Sequence, residues 1–432
     1  MVAPAAACRA AHACRREDAG LLHVAGDAEK CRAAASTAAP QRAALLVCGG
    51  DFSGDDEDGG HSEAVCLALA AGVPALLSAE ATGFGAWRAA REWVAPDGAP
   101  DVAALVEAFG DALVRVEEIP PLGGTPGASG GYGDRETRST TLQEYAEWWR
   151  GVRDGGGGRL LYLKDWHCAA EFGAYGAYEA PRDLAPDFLN GYYDARRGGG
   201  TSAADGDDAA TADYRFVYLG PAGSWTSLHS DVLRSSSWST NVAGRKRWTI
   251  LPPDATPWLL CRRGVLMAQT LHDDLAQAGG EAEWPYLRRA REVALVLEQA
   301  AGETVYVPPG WHHSVENLSD VLSINHNWIH PSGALDAVRL WRAERRAAEA
   351  QIAHLRDEVA SDEFGALVER NAALNAGLGE EQIVAMLQLG KRNAERAASE
   401  AHALVGGEAA GAIQRLYVEW SDEALMELAS GT

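Results

Sequence analysis

The sequence lacks the cysteine pattern of a disulfide framework or of a zinc site. Its 432 residues include seven cysteines, an odd number, and they lie scattered along the chain with no C-x-x-C pair. Such a set indicates free thiols in a reducing compartment. The chain also has no apolar run that approaches the roughly 18–20 residues of a membrane span, so we predict no transmembrane segment.

Basic residues are in short supply relative to acidic ones. There are 38 lysines and arginines against 61 aspartates and glutamates, which gives a formal net charge of −23. Sequence-independent binding to nucleic acid depends on basic contacts to phosphates, so this balance disfavours direct nucleic-acid binding. A hydrophobic content of 47% with 14 tryptophans indicates a folded core instead of a disordered chain.

Two segments have a composition that disfavours a packed structure. The first sixteen residues, MVAPAAACRAAHACRR, resemble a transit peptide because they are rich in alanine and arginine and contain no acids. We favour the alternative, a composition-biased terminus, and predict that residues 1–61 are poorly ordered. Residues 198–212, GGGTSAADGDDAATA, cannot build a core and are predicted to form a solvated loop insertion.

Residues 62–331 show the pattern of an α+β domain. A helix is predicted from Ser62 to Gly72 within an N-terminal α/β flank. From Val293 onward, short strands closed by Gly, Pro and Asn turns predict an antiparallel double-stranded β-helix, a jelly-roll or cupin-like barrel. The segment SWSTNVAGRKRWTILPP is predicted to be one long strand with a bend or bulge at Gly244.

Residues 332–432 contain no strand signal and are predicted to form a C-terminal helical region. Three amphipathic helices are indicated by apolar residues at helical spacing. Their members are Leu335, Val338 and Trp341, continued after Ala348 by Ile352, Leu355 and Val359; Ile383, Met386 and Leu387; and Ile413, Leu416, Tyr417 and Trp420. Because a barrel has its own core, these helices must bury their apolar faces against its outside or against a second copy in a homodimer.

The segment WTSLHSDVL contains the most informative motif, His229-Ser230-Asp231. Strand residues two apart point the same way, so both side chains project into the barrel. One more histidine would complete the 2-His-1-carboxylate facial triad of a non-haem Fe(II) oxygenase. The segment VYVPPGWHHSVEN supplies two neighbours, His312 and His313, and spacing alone leaves the choice between them open.

Other histidines are weaker candidates. A second HxD pair, His272 and Asp274, lies in a polar stretch without strand character and is interpreted as a loop. In the strand INHNW, alternation places Asn325 and Asn327 together toward a polar lumen, which leaves the neighbouring histidine packed or exposed. The remaining candidates near this strand are His326 and His330.

A facial triad leaves room for a bidentate 2-oxo acid and for dioxygen. The distal carboxylate of that co-substrate, once buried, needs a cation. Lys246 is the best candidate because alternation places it with Trp248 on one face, while Arg245 and Arg247 share the other. The hydroxyl of Thr226 is a second candidate partner, although an ordinary strand threonine is the alternative.

These blocks carry a resemblance to a known family. The segments that contain His229, Lys246 and His313 resemble the Jumonji-C (JmjC) oxygenases, and most closely the Jumonji domain-containing protein 4 family. Four further segments share the resemblance: GVPALLS, FGAWRAAREWVAPDG, YLKDWH and DYRFVYLGPAGSW. The resemblance implies Fe(II), 2-oxoglutarate and dioxygen as cofactor and co-substrates. The implied iron ligands are His229, Asp231 and His313. The implied 2-oxoglutarate site contains Thr226, Lys246, Asn327 and, more weakly, Tyr218.

The resemblance also implies a function. Members of the family are similar to lysyl hydroxylases and are associated with the eukaryotic translation termination release factor, which implies a cytoplasmic enzyme with a protein substrate. The nucleus is the alternative compartment. A histone N-methyl-lysine demethylase and a non-catalytic barrel that only binds are the alternative functions. No zinc-finger spacing of the kind found in histone-reading modules occurs in the sequence.

Overall fold

The computed structural model describes most of the chain from residue 46 onward. The described residues are 46–48, 63–120, 136–153, 159–181, 184, 186–198, 213–264, 267–271, 280–402 and 408–430. The predicted transit-like terminus and the body of the 198–212 insertion lie outside them. Within the segment 1–61, Leu46–Cys48 forms a strand that pairs with Ala75–Leu77, and the predicted poor order of the segment as a whole stays a prediction.

Two sheets form the framework of the fold, as the predicted double-stranded β-helix requires. The described strands are β1 Leu46–Cys48, β2 Ala75–Leu77, β3 Leu113–Ile119, β4 Thr137–Thr141, β5 Leu160–Trp166, β6 Arg215–Gly220, β7 Trp225–Ser230, β8 Ser236–Ala243, β9 Lys246–Leu251, β10 Leu295–Gln299, β11 Thr304–Val307, β12 His312–Asn317 and β13 Val321–Trp328. The large sheet has the order β1-β2-β11-β8-β13-β6-β5-β3-β4, and the small sheet has the order β10-β9-β12-β7. Apart from β1 and β2, which run parallel, the paired strands are antiparallel.

Helices cover the outside of this framework. The first eight are α1 Glu63–Ala71, α2 Arg88–Glu92, α3 Val102–Phe109, α4 Leu142–Arg153, α5 Cys168–Glu171, α6 Phe188–Gly198, α7 Gly280–Glu283 and α8 Leu287–Val293. The C-terminal four are α9 Ala334–Gln351, α10 Ser361–Ala376, α11 Glu380–His402 and α12 Glu408–Ala429. Among the described residues, no helix combines the length and apolar character needed to cross a membrane.

Strand β13 explains how one sequence builds both a core and a lumen. Leu322, Ile324 and Trp328 join the main hydrophobic core, which the N-terminal helices complete. The alternate residues Asn325 and Asn327 line an internal cavity, as predicted from alternation. A period of two therefore separates an apolar outer face from a polar inner face.

The predicted long strand around Gly244 is in fact two strands in two sheets. Its first part, β8, pairs within the large sheet, whereas its second part, β9, pairs within the small sheet. Gly244 lies between them with φ +84°, a left-handed conformation that glycine adopts without steric cost. The composition predicted an irregularity at this position but not that the chain changes sheets there.

The C-terminal region has one helix more than predicted. In the described residues after 333 the chain forms four helices, and α10 is the one that was missed. Its buried positions recur every four residues, but two of them are alanines, which give a weak apolar signal. They are Phe364, Val368, Ala372 and Ala376.

The predicted apolar residues of the other three helices are buried, except for Ile352, Leu355 and Val359. These three are half-buried and lie beyond the end of α9 at Gln351, so this helix is shorter than predicted. The apolar faces of α9 and α11 pack with Phe188 and Tyr192 of α6, and with Leu233 and Ile329 of the barrel. The face of α12 packs against Ala70 of α1. The C-terminal helices thus cover the barrel and the N-terminal flank of their own chain, while a homodimer stays a prediction.

The turn at Gly244 yields a stability prediction with a matched control. A Cβ at Gly244 would lie 1.9 Å from the backbone oxygen of Asp320, whereas one at Gly98, with a similar φ of +82°, meets nothing within 4 Å. We expect Gly98→Ala to cost about 1–2 kcal/mol from the left-handed backbone alone. Gly244→Ala should cost about 2–5 kcal/mol because the overlap adds to that strain. Denaturant unfolding of both variants measures the difference, and equal losses would contradict it.

Candidate metal centre

Two neighbouring strands of the small sheet bring the predicted ligands together. His229 lies on β7 and Asp231 follows directly after it, while His313 lies on β12. The strands pair antiparallel with His313 opposite His229. Ligand atoms of these three residues all lie within 4.8 Å of one another, and no other metal-binding cluster of this kind occurs among the described residues.

The three side chains are too far apart to bond to one another but close enough to share an ion. Nε2 of His229 lies 3.9 Å from Oδ1 of Asp231, and Nε2 of His313 lies 3.9 Å from Oδ2 of the same carboxylate. The two imidazole rings are 4.4 Å apart between centroids. Two imidazole nitrogens and one carboxylate are the donor set of non-haem Fe(II) sites.

Hydrogen bonds around the cluster prepare its donor atoms for a metal. Nδ1 of His229 donates to the backbone oxygen of Ser227 at 2.7 Å, which leaves Nε2 as the unprotonated nitrogen. Nδ2 of Asn327 donates to Oδ1 of Asp231 at 3.0 Å. Oδ2 of Asp231 is buried without a hydrogen-bond partner among the described residues, as expected of an oxygen atom that binds a metal ion. The residues present therefore fit an iron ion.

The electrostatic setting favours neutral imidazole, the form that binds metal. Removal from bulk water, with the neighbouring His313 as a second cause, lowers the pKa of His229 to about 4. The ring is therefore uncharged at neutral pH. Since metal binding requires deprotonated ligands, the site needs no proton release from this histidine.

His312 lies outside the cluster, which resolves the choice that spacing left open. It neighbours His313 on β12, so its side chain points to the opposite face of the sheet. Burial is also the main cause that lowers the pKa of His312, here to about 3. Of the other candidates, His326 stacks on Trp238 with ring centroids 4.0 Å apart, and His330 hydrogen-bonds Ser332 through Nδ1. The HxD pair at 272–274 lies outside the described residues.

Lys246 lies in the same cavity, as its alternation predicted. It is 2% exposed, and its Nζ donates to Oγ of Ser323 at 2.6 Å. Among the described residues it has no carboxylate within ion-pair distance, and burial lowers its pKa to about 7. Arg245 and Arg247 point outward and pair with glutamates on the surface of the small sheet.

The remaining predicted residues also border the cavity, in different ways. Thr226 lines it from β7, three residues before His229. Tyr218 lines it from β6, and its hydroxyl donates to Oδ1 of Asp165 at 2.8 Å. Sequence reasoning missed Asp165 and Ser323. Ser323 could have been found, because it shares the inner face of β13 with the two asparagines.

The cavity holds about 950 Å³ and opens between the barrel and the C-terminal helices. Besides both sheets, its wall includes residues of α10 and the start of α11. Leu374 of α10 is 71% exposed at this rim. The other lining residues from this region are Arg370, Ala373, Gly377 and Gln382.

Comparison with known proteins agrees with this geometry. Residues 216–328 match the family described as JmjC domain, hydroxylase. The chain is 34% identical over 327 residues to the human 2-oxoglutarate and iron-dependent oxygenase JMJD4, covering 74% of this chain and 70% of that protein. It is 35% identical over 294 residues to the arginine-specific demethylase JMJ20 of Arabidopsis thaliana, covering 68% of this chain and 60% of that one.

A third relative extends the comparison to insects. The Drosophila melanogaster homologue of JMJD4 is 39% identical over 173 residues, which covers 40% of this chain and 35% of that protein. The plant and fly proteins therefore have substantial length outside the match. The cluster, the buried lysine and the extent of these matches lead to one conclusion: the chain belongs to the JmjC family of 2-oxoglutarate- and iron-dependent oxygenases, and is JMJD4-like.

Proposed function

We propose that this protein is an Fe(II)- and 2-oxoglutarate-dependent hydroxylase that acts on a lysine side chain of the translation termination release factor. The observation that carries the oxygenase part is the coexistence, in one cavity, of a His-Asp-His cluster and a buried lysine that has no carboxylate partner among the described residues. The lysine and release-factor parts rest on the sequence resemblance.

His229, Asp231 and His313 would hold the iron. With 2-oxoglutarate and dioxygen bound, the iron supplies the oxidising power that converts a C–H bond to C–OH, while 2-oxoglutarate is oxidised to succinate and carbon dioxide. One oxygen atom of dioxygen enters the substrate and the other enters succinate.

The chain's own residues would bind 2-oxoglutarate and orient the ligands of the iron. Lys246 would neutralise the distal carboxylate of 2-oxoglutarate, with Thr226 as a further donor. Asn327 fixes the rotation of the Asp231 carboxylate through its hydrogen bond, which is the role of outer partners in metal sites. Trp248, with its ring 5.7 Å from that of His313, forms an apolar wall beside the cluster.

A protein substrate suits the wide cavity mouth, and the net charge of −23 would attract a basic target segment over a distance that salt shortens. The buried free thiol of Cys168 fits the proposed cytoplasmic location. N-demethylation is the second candidate function. It is favoured by the name of the plant relative, an arginine-specific demethylase, and it uses the same oxidising site.

Mass spectrometry of the release factor separates these functions. After incubation with enzyme, Fe(II) and 2-oxoglutarate, we expect one added oxygen atom on a lysine. Methylated histone or arginine peptides are the parallel substrates, and loss of a methyl group from them with no change in the release factor would overturn the proposal. Enzyme without 2-oxoglutarate is the control.

The ligand assignment is tested by three substitutions and one control. We expect His229→Ala, Asp231→Ala and His313→Ala each to weaken Fe(II) binding by at least about 100-fold, because first-shell losses exceed the roughly 10–100-fold effects of outer partners. His312→Ala should bind Fe(II) like the wild type. Titration calorimetry under anaerobic conditions measures Fe(II) binding by all four variants. Weak Fe(II) binding by the His312 variant, with wild-type binding by the His313 variant, would show that His312 is the ligand.

Lys246→Met should weaken 2-oxoglutarate binding to the iron-loaded enzyme by about 100–1000-fold. Loss of one partner from a buried pair costs about 3–5 kcal/mol, and each 1.4 kcal/mol is about tenfold. Iron binding should persist. The exposed neighbour Arg247→Met is the matched control, and a variant pair with the same co-substrate affinity would remove Lys246 from this role.

The same lysine predicts a pH dependence of stability in the protein without co-substrate. Its pKa is about 7 in the folded state and about 10.4 when unfolded. Between these values the unfolded chain binds more protons, so the free energy of unfolding should rise with pH. Below pH 7 both states are protonated and the full cost of burial applies. Lys246→Met should lack this rise and be more stable than wild type at pH 7, as thermal denaturation can measure.

A further inference from the structure

We propose that Asp165 receives the cationic head of a basic substrate side chain, an ammonium or a guanidinium, inside the cavity of the candidate metal centre. This inference rests on the proposed function and deepens it, because it assigns substrate selection to a residue outside the iron and 2-oxoglutarate sites. Four features of the structure support it.

The backbone at Asp165 is shaped to turn this side chain toward the cavity. The pairing of β5 with β6 shifts register between Leu163 and Trp166, so Asp165 lies in a β-bulge. Its φ is +53°, one of three positive values among the described non-glycine residues. Bulges beside active sites re-aim side chains, and backbone strain persists where the surroundings enforce it. Asp165 lines the cavity together with the His-Asp-His cluster.

A tyrosine and an aromatic wall hold the carboxylate in place. The hydroxyl of Tyr218 donates to Oδ1 of Asp165 at 2.8 Å. The Tyr218 ring stacks on Phe216 at 6.2 Å, and His167 continues the wall at 5.3 Å from Phe216. A carboxylate beside aromatic faces is a receptor for cations, since both attract positive charge.

Asp165 is also the cavity carboxylate that has no cation of its own. The described lining residues include three carboxylates, and Asp231 belongs to the metal cluster. Asp213 accepts from Nε of Arg215 at 2.5 Å. Within the part of the chain that the structure describes, the side chain of Asp165 has the neutral hydroxyl of Tyr218 as its hydrogen-bond partner and no cation, because the adjacent Lys164 pairs with Glu117 at 3.1 Å. A part-buried carboxylate without a counter-charge favours a cationic ligand.

The basic residues of the cavity do not cancel this preference. Lys246 lies deep in the cavity and would be neutralised by 2-oxoglutarate. Lys164 pairs with Glu117, and Arg196 donates to the hydroxyl of Tyr192 at 3.1 Å. Arg115 and Arg370 are exposed and screened by solvent. An anchored terminal charge would fix how far along an aliphatic side chain the reacting carbon lies. Asp165 would thereby set both which side chain enters and which carbon is presented.

Two substitutions isolate charge from shape. Asp165→Asn removes the charge and keeps a residue that tolerates a positive φ. Asp165→Glu keeps the charge and is the conservative rescue. Binding is measured by ligand-observed NMR on the full chain loaded with Zn(II) and 2-oxoglutarate. The probes are the Nα-acetyl amides of lysine, arginine and norleucine, which has no charge.

We expect the wild type to bind one of the cationic amides about 10–100-fold more tightly than the norleucine amide, the range of a charged hydrogen bond. Asp165→Asn should lose this preference and Asp165→Glu should retain most of it. Comparison of the affinities for the lysine and arginine amides identifies whether the site prefers an ammonium or a guanidinium group. In turnover, Asp165→Asn should raise KM for the protein substrate while Fe(II) and 2-oxoglutarate binding stay unchanged.

The outcomes separate this inference from the proposed function. A wild-type preference for cations that Asp165→Asn abolishes supports the inference even if no hydroxylated product is found. Equal binding of charged and uncharged amides by the wild type, or an unchanged preference in Asp165→Asn, overturns it even if the release factor is hydroxylated.

Discussion

The pairing of β7 with β12 is the constraint on which the site depends. It sets His313 opposite His229, and Asp231 follows at the end of β7. A slip of one residue would turn every side chain of β12 to the other face and present His312 in place of His313. The register is fixed by β9, which pairs with β12 along its whole length and carries Lys246 at the far end. Ligand geometry is thus a property of three strands together.

Two side-chain hydrogen bonds connect the inner face of β13 in the large sheet to functional residues carried by or next to the strands of the small sheet. Asn327 on β13 donates to Asp231, and Lys246 on β9 donates to Ser323, again on β13. Both involve residues that would contact iron or co-substrate. The polar inner face of β13 therefore acts as the fixed wall against which the small sheet positions its functional groups.

Much of the site could be predicted from the sequence because the direction of its side chains follows from alternation along single strands. Alternation along a strand was enough for His229 with Asp231, for Lys246 and for Asn327. The function of Asp165 depends on a bulge in the pairing of β5 with β6, which no single strand encodes. The change of sheet at Gly244 is hidden for the same reason. Helix α10 escaped because alanines, with little apolar signal, form half of its buried face.

The rim of the cavity comes from a part of the chain that contributes no metal ligand. Residues from Arg370 to Gln382, at the junction of α10 and α11, border the opening, and Leu374 presents an exposed aliphatic side chain there. The cavity is therefore built from two separate stretches of the chain: the barrel supplies the metal cluster and Asp165, and the helical junction supplies the rim. A substitution in this helical junction would reshape the entrance of the cavity while leaving in place the strands that hold the candidate metal centre.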